Sequence, residues 1–158
     1  KFFLLKRKFK DLNYKKLEEF NLHTQEISFT SAKIAKINKV RQILKRYQIS
    51  FAKRYKNCCI EGRDISTKIL PNSKVKFFFI CDLNIASVRR FKELKKNNPN
   101  IKLKDVKKSL RIRNISDSKR KNSPLLKHRD SIVIDTGKLN KQAMLKKMSK
   151  HIEGLLNN

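Results

Sequence analysis

The chain has 158 residues, 39% of them hydrophobic, which is enough for a compact core; its 41 Lys+Arg against 13 Asp+Glu give a formal net charge of +28. That charge would suit a nucleic-acid partner, but lysine is spread over nearly every segment beside abundant Ile, Asn and Phe, a bias typical of A/T-rich coding, so most lysines are assigned to a solvated surface. No run is long enough to span a membrane, Phe2 to Leu5 is too short for a signal peptide's apolar part, and the cysteines (Cys58, Cys59, Cys81) and isolated histidines match no metal-ligand spacing.

In chain order, Lys1 to Leu22 reads as helical. Apolar residues at steps of three and four from Ile34 to Tyr55 predict one amphipathic helix capped by Thr30 or Ser31. Cys58-Cys59-Ile60 reads as a buried strand holding reduced thiols and ending at the turn Glu61-Gly62-Arg63-Asp64. Val75 to Cys81 is apolar apart from Lys76 and suits a strand covered on both faces. Ile85, Val88, Phe91 and Leu94 form a second helical stripe, ended by Asn97-Asn98-Pro99, and Leu103, Val106 and Leu110 form a third. A polar loop is expected from Asn114 to about Lys127. Ile132-Val133-Ile134 is a short strand stopped by Asp135-Thr136-Gly137, and a helix from Ala143 to Leu155 closes the chain. Buried strands alternating with helices make an α/β protein with a largely parallel sheet, whose ligands gather beyond the C-terminal strand ends.

Arginine is the informative cation. In a chain that prefers lysine, 11 arginines are retained, and many stand in turn-like or helix-terminal segments where a planar fork can grip phosphate or carboxylate. Arg63 and Asp64 offer a phosphate fork beside an acceptor, or else a structural ion pair that fixes a turn. Arg113, Asp117 and Arg120 share one helical face, or surround one mobile loop. A lid over polyphosphate and a solvated charged loop are both compatible with that spacing. There is no nucleophile elbow, and the apolar Phe77-Phe78-Phe79 fits burial better than RNA stacking.

Taken together, Ala35 to Arg41 leading into Gln48, Ile60 to Ile65 with Pro71 downstream, and Lys74 to Phe78 resemble bacterial cytidylate kinases. So do Arg89-Arg90-Phe91, Arg113 to Arg120, Ser123-Pro124-Leu125 and Asp135-Thr136. The resemblance runs in register from about Thr24 to the C-terminus. It implies a single domain with the three-layer P-loop kinase fold and a parallel sheet, lacking the first βα unit. Residues 1–57 would be a helical nucleotide-binding region, and 58–158 the core, with a short lid at about 113–127. The implied activity is ATP-dependent phosphorylation of CMP or dCMP in a cytoplasmic monomer using ATP and Mg²⁺, with no membrane and no specific nucleic acid as partner. By resemblance, Arg63 grips the CMP phosphate, Arg41 and Asp64 help hold the nucleotide, Arg113 and Asp117 face sugar and phosphates, and Arg120 contributes to cytosine or phosphate recognition. The alternative is a basic RNA- or ribosome-associated protein, for which charge is the main support.

The chain departs from the family pattern at Ala32, where a Ser is usual, at Ser66 for a Gly, at Asn114 for an acid and at Ala86 for an arginine. A larger departure concerns ATP. The glycines are Gly62, Gly137 and Gly154, and none opens the G-x-x-x-x-G-K-[ST] loop that cradles ATP phosphates. The sequence therefore reads as a truncated cytidylate kinase, and the 158 residues alone are expected to bind ATP poorly and to lack appreciable kinase activity.

Overall fold

The computed structural model describes Phe20, Leu22 and residues 24–55 and 57–156. The helix expected over Lys1 to Leu22 thus lies outside the described residues, apart from Phe20 and Leu22. The chain divides into two compact units, one ending at Glu61 and the other beginning at Gly62.

In the first unit, α1 (Gln25–Ile34) starts where Thr24 turns extended and its Oγ1 accepts from the Ile27 N–H at 3.2 Å, satisfying a donor the first turn leaves open. A second helix, α2 (Asn38–Arg54), begins after Ile37, whose φ of −81° and ψ of 113° are extended. The expected single helix from Ile34 to Tyr55 is thereby corrected, as is its cap: Thr30 and Ser31 lie inside α1. Periodicity missed the break because neither Gly nor Pro marks it. Tight backbone bonds make it instead, Lys36 N–H to Lys33 O and Ile37 N–H to Ile34 O. Arg41, in the first turn of α2, donates through Nη1 to the Ala35 carbonyl at 3.2 Å and so occupies an acceptor that the end of α1 leaves open. Val40 is the buried apolar residue of α2, and the Phe51 and Tyr55 rings meet near its end with centroids 4.7 Å apart.

Cys58-Cys59-Ile60 belongs to no strand, and both thiols are exposed, against the expectation of a buried strand. A strand needs a ladder partner. Among the described residues the sheet consists of β1 (Phe77–Ile80) and β2 (Ile132–Asp135), which pair with each other.

The second unit opens with Gly62, where an added Cβ would stand 2.8 Å from Ile65 Cγ1, so the close approach of side chain to backbone there requires glycine. One π-helical turn, Ile65–Ile69, follows; the Asp64 carbonyl accepts from the N–H groups of Lys68 (2.9 Å) and Ile69 (3.3 Å). Ser66 sits in this turn, and the one non-glycine residue with positive φ among those described is Ser123. The Ser66 backbone is therefore unstrained without the family's glycine.

Strands β1 and β2 run parallel, with Phe77 opposite Ile132 and Ile80 opposite Asp135. A parallel pair needs a long crossover. Here it is made by α3 (Leu83–Lys95) and α4 (Leu103–Lys119), which pack against each other. Asp82 caps α3 by accepting from the N–H groups of Asn84 (2.8 Å) and Ile85 (3.2 Å). Ile134, Val106 and Ile69 form the buried apolar core, and Ile134 is completely covered. Buried Ser87 satisfies its hydroxyl on the Leu83 carbonyl one turn back. Coverage of β1 is partial: Phe77 and Phe78 are half-buried, but Phe79, 49% exposed, and Ile80 lie open on opposite faces, whereas a strand buried on both faces was expected. The polar loop expected from Asn114 is also corrected, since α4 continues to Lys119 and the loop begins at Arg120. Asp117 has arginines at i−4 and i+3, spacings that support a helix. The chain ends in α5 (Lys141–Leu156), where Asn140 Oδ1 accepts from the Ala143 N–H at 2.8 Å. The observed order is α/β with a parallel sheet, as expected. No described helix is long and apolar enough to cross a membrane.

Candidate functional site

Helix α4 places Arg113 and Asp117 one turn apart on the same face and leaves Arg120 at its C-terminal cap. Of the two arrangements open from spacing, the helical face is the one observed. Asp117 is the centre. Its side chain is only 10% exposed, and Arg120, equally buried, approaches its Oδ1 with Nη1 at 3.4 Å. Arg63, from the turn after Gly62, brings Nε to 3.1 Å from Oδ2, and Arg113 Nε stands 3.9 Å from the same oxygen. Oδ2 thus has two cations beside it, yet no well-angled hydrogen bond among the described residues.

The loop after α4 folds back on the same centre. Arg120 Nε donates to the Ser123 carbonyl, and the Leu125 N–H donates to the Asp117 carbonyl at 2.8 Å. Ser123 adopts a φ of 53° to make this turn, in the left-handed region that disfavours a side chain, directly before Pro124. Local backbone strain is therefore spent on holding Arg120 still.

Three guanidinium groups surround one carboxylate, so positive charge is in excess. Arg113 registers that excess: its pKa is lowered from the ordinary arginine value, first by burial, then by the neighbouring Arg63 charge, with Arg90 adding to the depression and Asp117 opposing it. Arg120 Nη2 is buried without a hydrogen-bond partner among the described residues. Buried donors left unmade are costly, and an entering anion would supply both the missing acceptor and the missing charge. The arrangement is chemically that of an oxyanion receptor, with forked donors suited to phosphate.

Four of the six residues singled out from sequence, Arg63, Arg113, Asp117 and Arg120, are brought together in this way. Asp64 is buried beside Arg63 in sequence, and its carbonyl anchors the π turn. Arg41 belongs to the unit that ends at Glu61, where it holds the end of α1. The six did not include Arg90, which contributes to the field at Arg113, or Ser123, whose carbonyl fixes Arg120. The Ser123-Pro124 pair after Arg120 was the available signal for the latter.

Comparison with known proteins shows the family. The cytidylate kinase family model matches residues 6–154. A cytidylate kinase of Clostridium botulinum is 38% identical over 125 residues, covering 79% of this chain and 57% of the relative. One from Rickettsia conorii is 31% identical over 134 residues, covering 85% of this chain and 61% of the relative. The match therefore spans less than two thirds of the length of these relatives. The family-model match nevertheless takes in both units and every segment that builds the arginine cluster, and the chain belongs to the cytidylate kinase family.

Proposed function

We propose that this chain carries the nucleoside-monophosphate side of a cytidylate kinase, which transfers the terminal phosphoryl group of ATP to CMP or dCMP. The observation that supports the reading best is the convergence of Arg63, Arg113 and Arg120 on one buried carboxylate with a buried guanidinium N–H unused. Phosphoryl transfer needs little covalent help; positioning and charge neutralisation supply most of the acceleration. In this reading Arg63 and Arg120 receive the CMP phosphate or its base edge. Asp117 keeps the three guanidinium planes oriented when the site is empty, and Arg113 faces sugar and phosphate. Asp64 contributes an acceptor to the nucleotide. The assignment of Arg41 to nucleotide binding rests on family resemblance. The segment from Arg120 to about Lys127 would act as a short lid. The full enzyme is proposed to be a cytoplasmic monomer of pyrimidine nucleotide metabolism.

The residues present fit a nucleoside monophosphate and do not fit the ATP phosphates. None of the three glycines opens a phosphate-cradling loop. Among the described residues no three His, Cys, Asp or Glu side chains gather where a metal ion could sit. ATP and Mg²⁺, which kinases of this family use, are thus not assigned to any residue described here.

Calorimetric titration with CMP tests the proposal. One CMP per chain should bind saturably, AMP should bind far more weakly, and steady-state turnover with ATP should be absent. Equal, unsaturable binding of both nucleotides would remove the CMP-site reading, and turnover by these 158 residues would contradict the reading that they form no ATP cradle.

A further inference from the structure

At the starts of both strands, α5 and the loops leading into β1 and β2 line a separate open cavity of about 510 Å³, with Lys76 buried at its base and Lys74, Lys150 and His151 exposed at its rim. Its walls include Lys74, Lys76, Lys150 and His151, with Asp130 as the acidic member and Ile132 and Leu155 as an apolar side. None of these residues takes part in the arginine cluster. We infer that this cavity is a second anion site, which takes the phosphate chain of a small polyphosphate-bearing molecule.

Lys76 is the central observation. It immediately precedes β1, its carbonyl accepts from the Ile132 N–H at 2.9 Å, and its side chain is only 7% exposed. A buried ammonium has three N–H groups to satisfy. Lys76 Nζ donates one to the Ser73 carbonyl at 2.8 Å, and its remaining charge partner, Asp130 Oδ2, is 3.9 Å away on a side chain that is 58% exposed. Asp130 is itself shared with Arg129 at 3.5 Å, while His128 Nδ1 accepts from the Asp130 N–H at 3.2 Å. The carboxylate therefore neutralises Lys76 weakly, and Lys74, Lys150 and His151 add cationic or protonatable groups with no further acid among the described residues of the wall. Burying a charge without full pairing is costly in general. A ligand with several phosphate oxygens would provide the missing acceptors.

The shape suits such a ligand. A volume of this order is within the roughly 300–1,000 Å³ of small-molecule sites. Gly154 lies on the α5 wall, and a Cβ there would meet nothing within 4 Å beyond its own helix and chain neighbours, so that stretch of the cavity is open beside Leu155 and Ile132. A free tripolyphosphate would use the cationic side alone, whereas a nucleoside triphosphate would also cover the apolar side.

The test is an NMR titration of the full chain with sodium tripolyphosphate and, separately, ATP, following the His151 ring resonances. Saturable shifts of His151 are expected with either probe. Tighter binding of ATP identifies a nucleoside ligand; equal binding identifies the inorganic chain. Gly154→Leu adds bulk to the open stretch at a position where a Cβ meets nothing beyond its own helix, and Lys74→Glu with Lys150→Glu reverses charge at exposed positions. Each should weaken the His151 response at least about tenfold, while Arg120→Lys leaves it unchanged. Lys76→Met is the sharper probe, and the other variants serve if it fails to fold. An unmoved His151, or a response abolished by Arg120→Lys and insensitive to Gly154→Leu, would overturn the inference.

Discussion

Arg63 Nε lies 3.1 Å from Asp117 Oδ2, joining the turn that opens the second unit to the last full turn of α4. The pair is more than a surface ion bridge, because the same carboxylate also faces Arg113 and Arg120 and is largely hidden from water. Removing it leaves three cations together with no counter-charge. Asp117→Ala should therefore destabilise the protein by about 3 kcal/mol, read from urea unfolding. Added phosphate should recover part of the loss, since an anion replaces the missing charge. If Asp117→Ala unfolds at the same urea concentration as the parent, the carboxylate is not the organising centre.

Arg120 is held by the Ser123 carbonyl and Asp117, so its position is set before any ligand arrives. Arg120→Lys keeps the charge and loses the fork. CMP affinity should fall by about tenfold or more, with the unfolding midpoint changed much less than by Asp117→Ala. Equal CMP affinity in the two proteins would show that a point charge is sufficient at this position.

Arg113 gives the opposite balance between stability and binding. Its charged form is disfavoured in the folded state because burial and Arg63 both lower its pKa. A cation whose folded pKa is depressed costs stability at every pH below that pKa, and the cost is relieved only when it titrates, in strongly alkaline solution. Arg113→Gln should consequently raise the ligand-free melting temperature or leave it unchanged. That difference should stay flat from about pH 6 to about pH 9, far below arginine titration. CMP binding should weaken in the same variant. A lower melting temperature without ligand would mean that the ion pair with Asp117 outweighs the repulsion.

Gly62 tests the turn itself. Gly62→Ala drives a Cβ toward Ile65 Cγ1 and should destabilise by about 1–3 kcal/mol, as overpacking generally does. Ile65→Ala removes the atoms that would be struck, so the double variant should lose less than the sum of the two single losses. Strict additivity in thermal or urea unfolding would place the requirement for glycine elsewhere.

Much of this site was legible in the sequence. Arginine retained in a lysine-rich chain suggested a fork for phosphate or carboxylate, whereas the spacing of Arg113, Asp117 and Arg120 left a lid and a solvated loop both open until the family resemblance favoured phosphate. That Val75 to Cys81 and Ile132-Val133-Ile134 are strands of a parallel sheet followed from composition, because short apolar runs between helical stripes suit parallel strands; that the two pair with each other is known from the structure. What periodicity could not show was the break at Ala35 to Ile37, where hydrogen bonding alone interrupts one continuous apolar stripe. Nor could polar composition reveal that Asn114 to Lys119 is helical, since ion pairs to a buried aspartate hold that turn. Cys58-Cys59-Ile60 has the content of a strand, but strand formation depends on a partner that local sequence does not specify.

The central claim is that the arginine cluster receives the phosphate of CMP. The most direct measurement is a ¹⁵N NMR spectrum of the arginine Nε–H groups, recorded as CMP and then cytidine are added. The account predicts that Arg63, Arg113 and Arg120 shift together and saturably with CMP, and that cytidine, lacking the phosphate, moves them little. Unmoved arginines with CMP, or equal shifts with both, would contradict it.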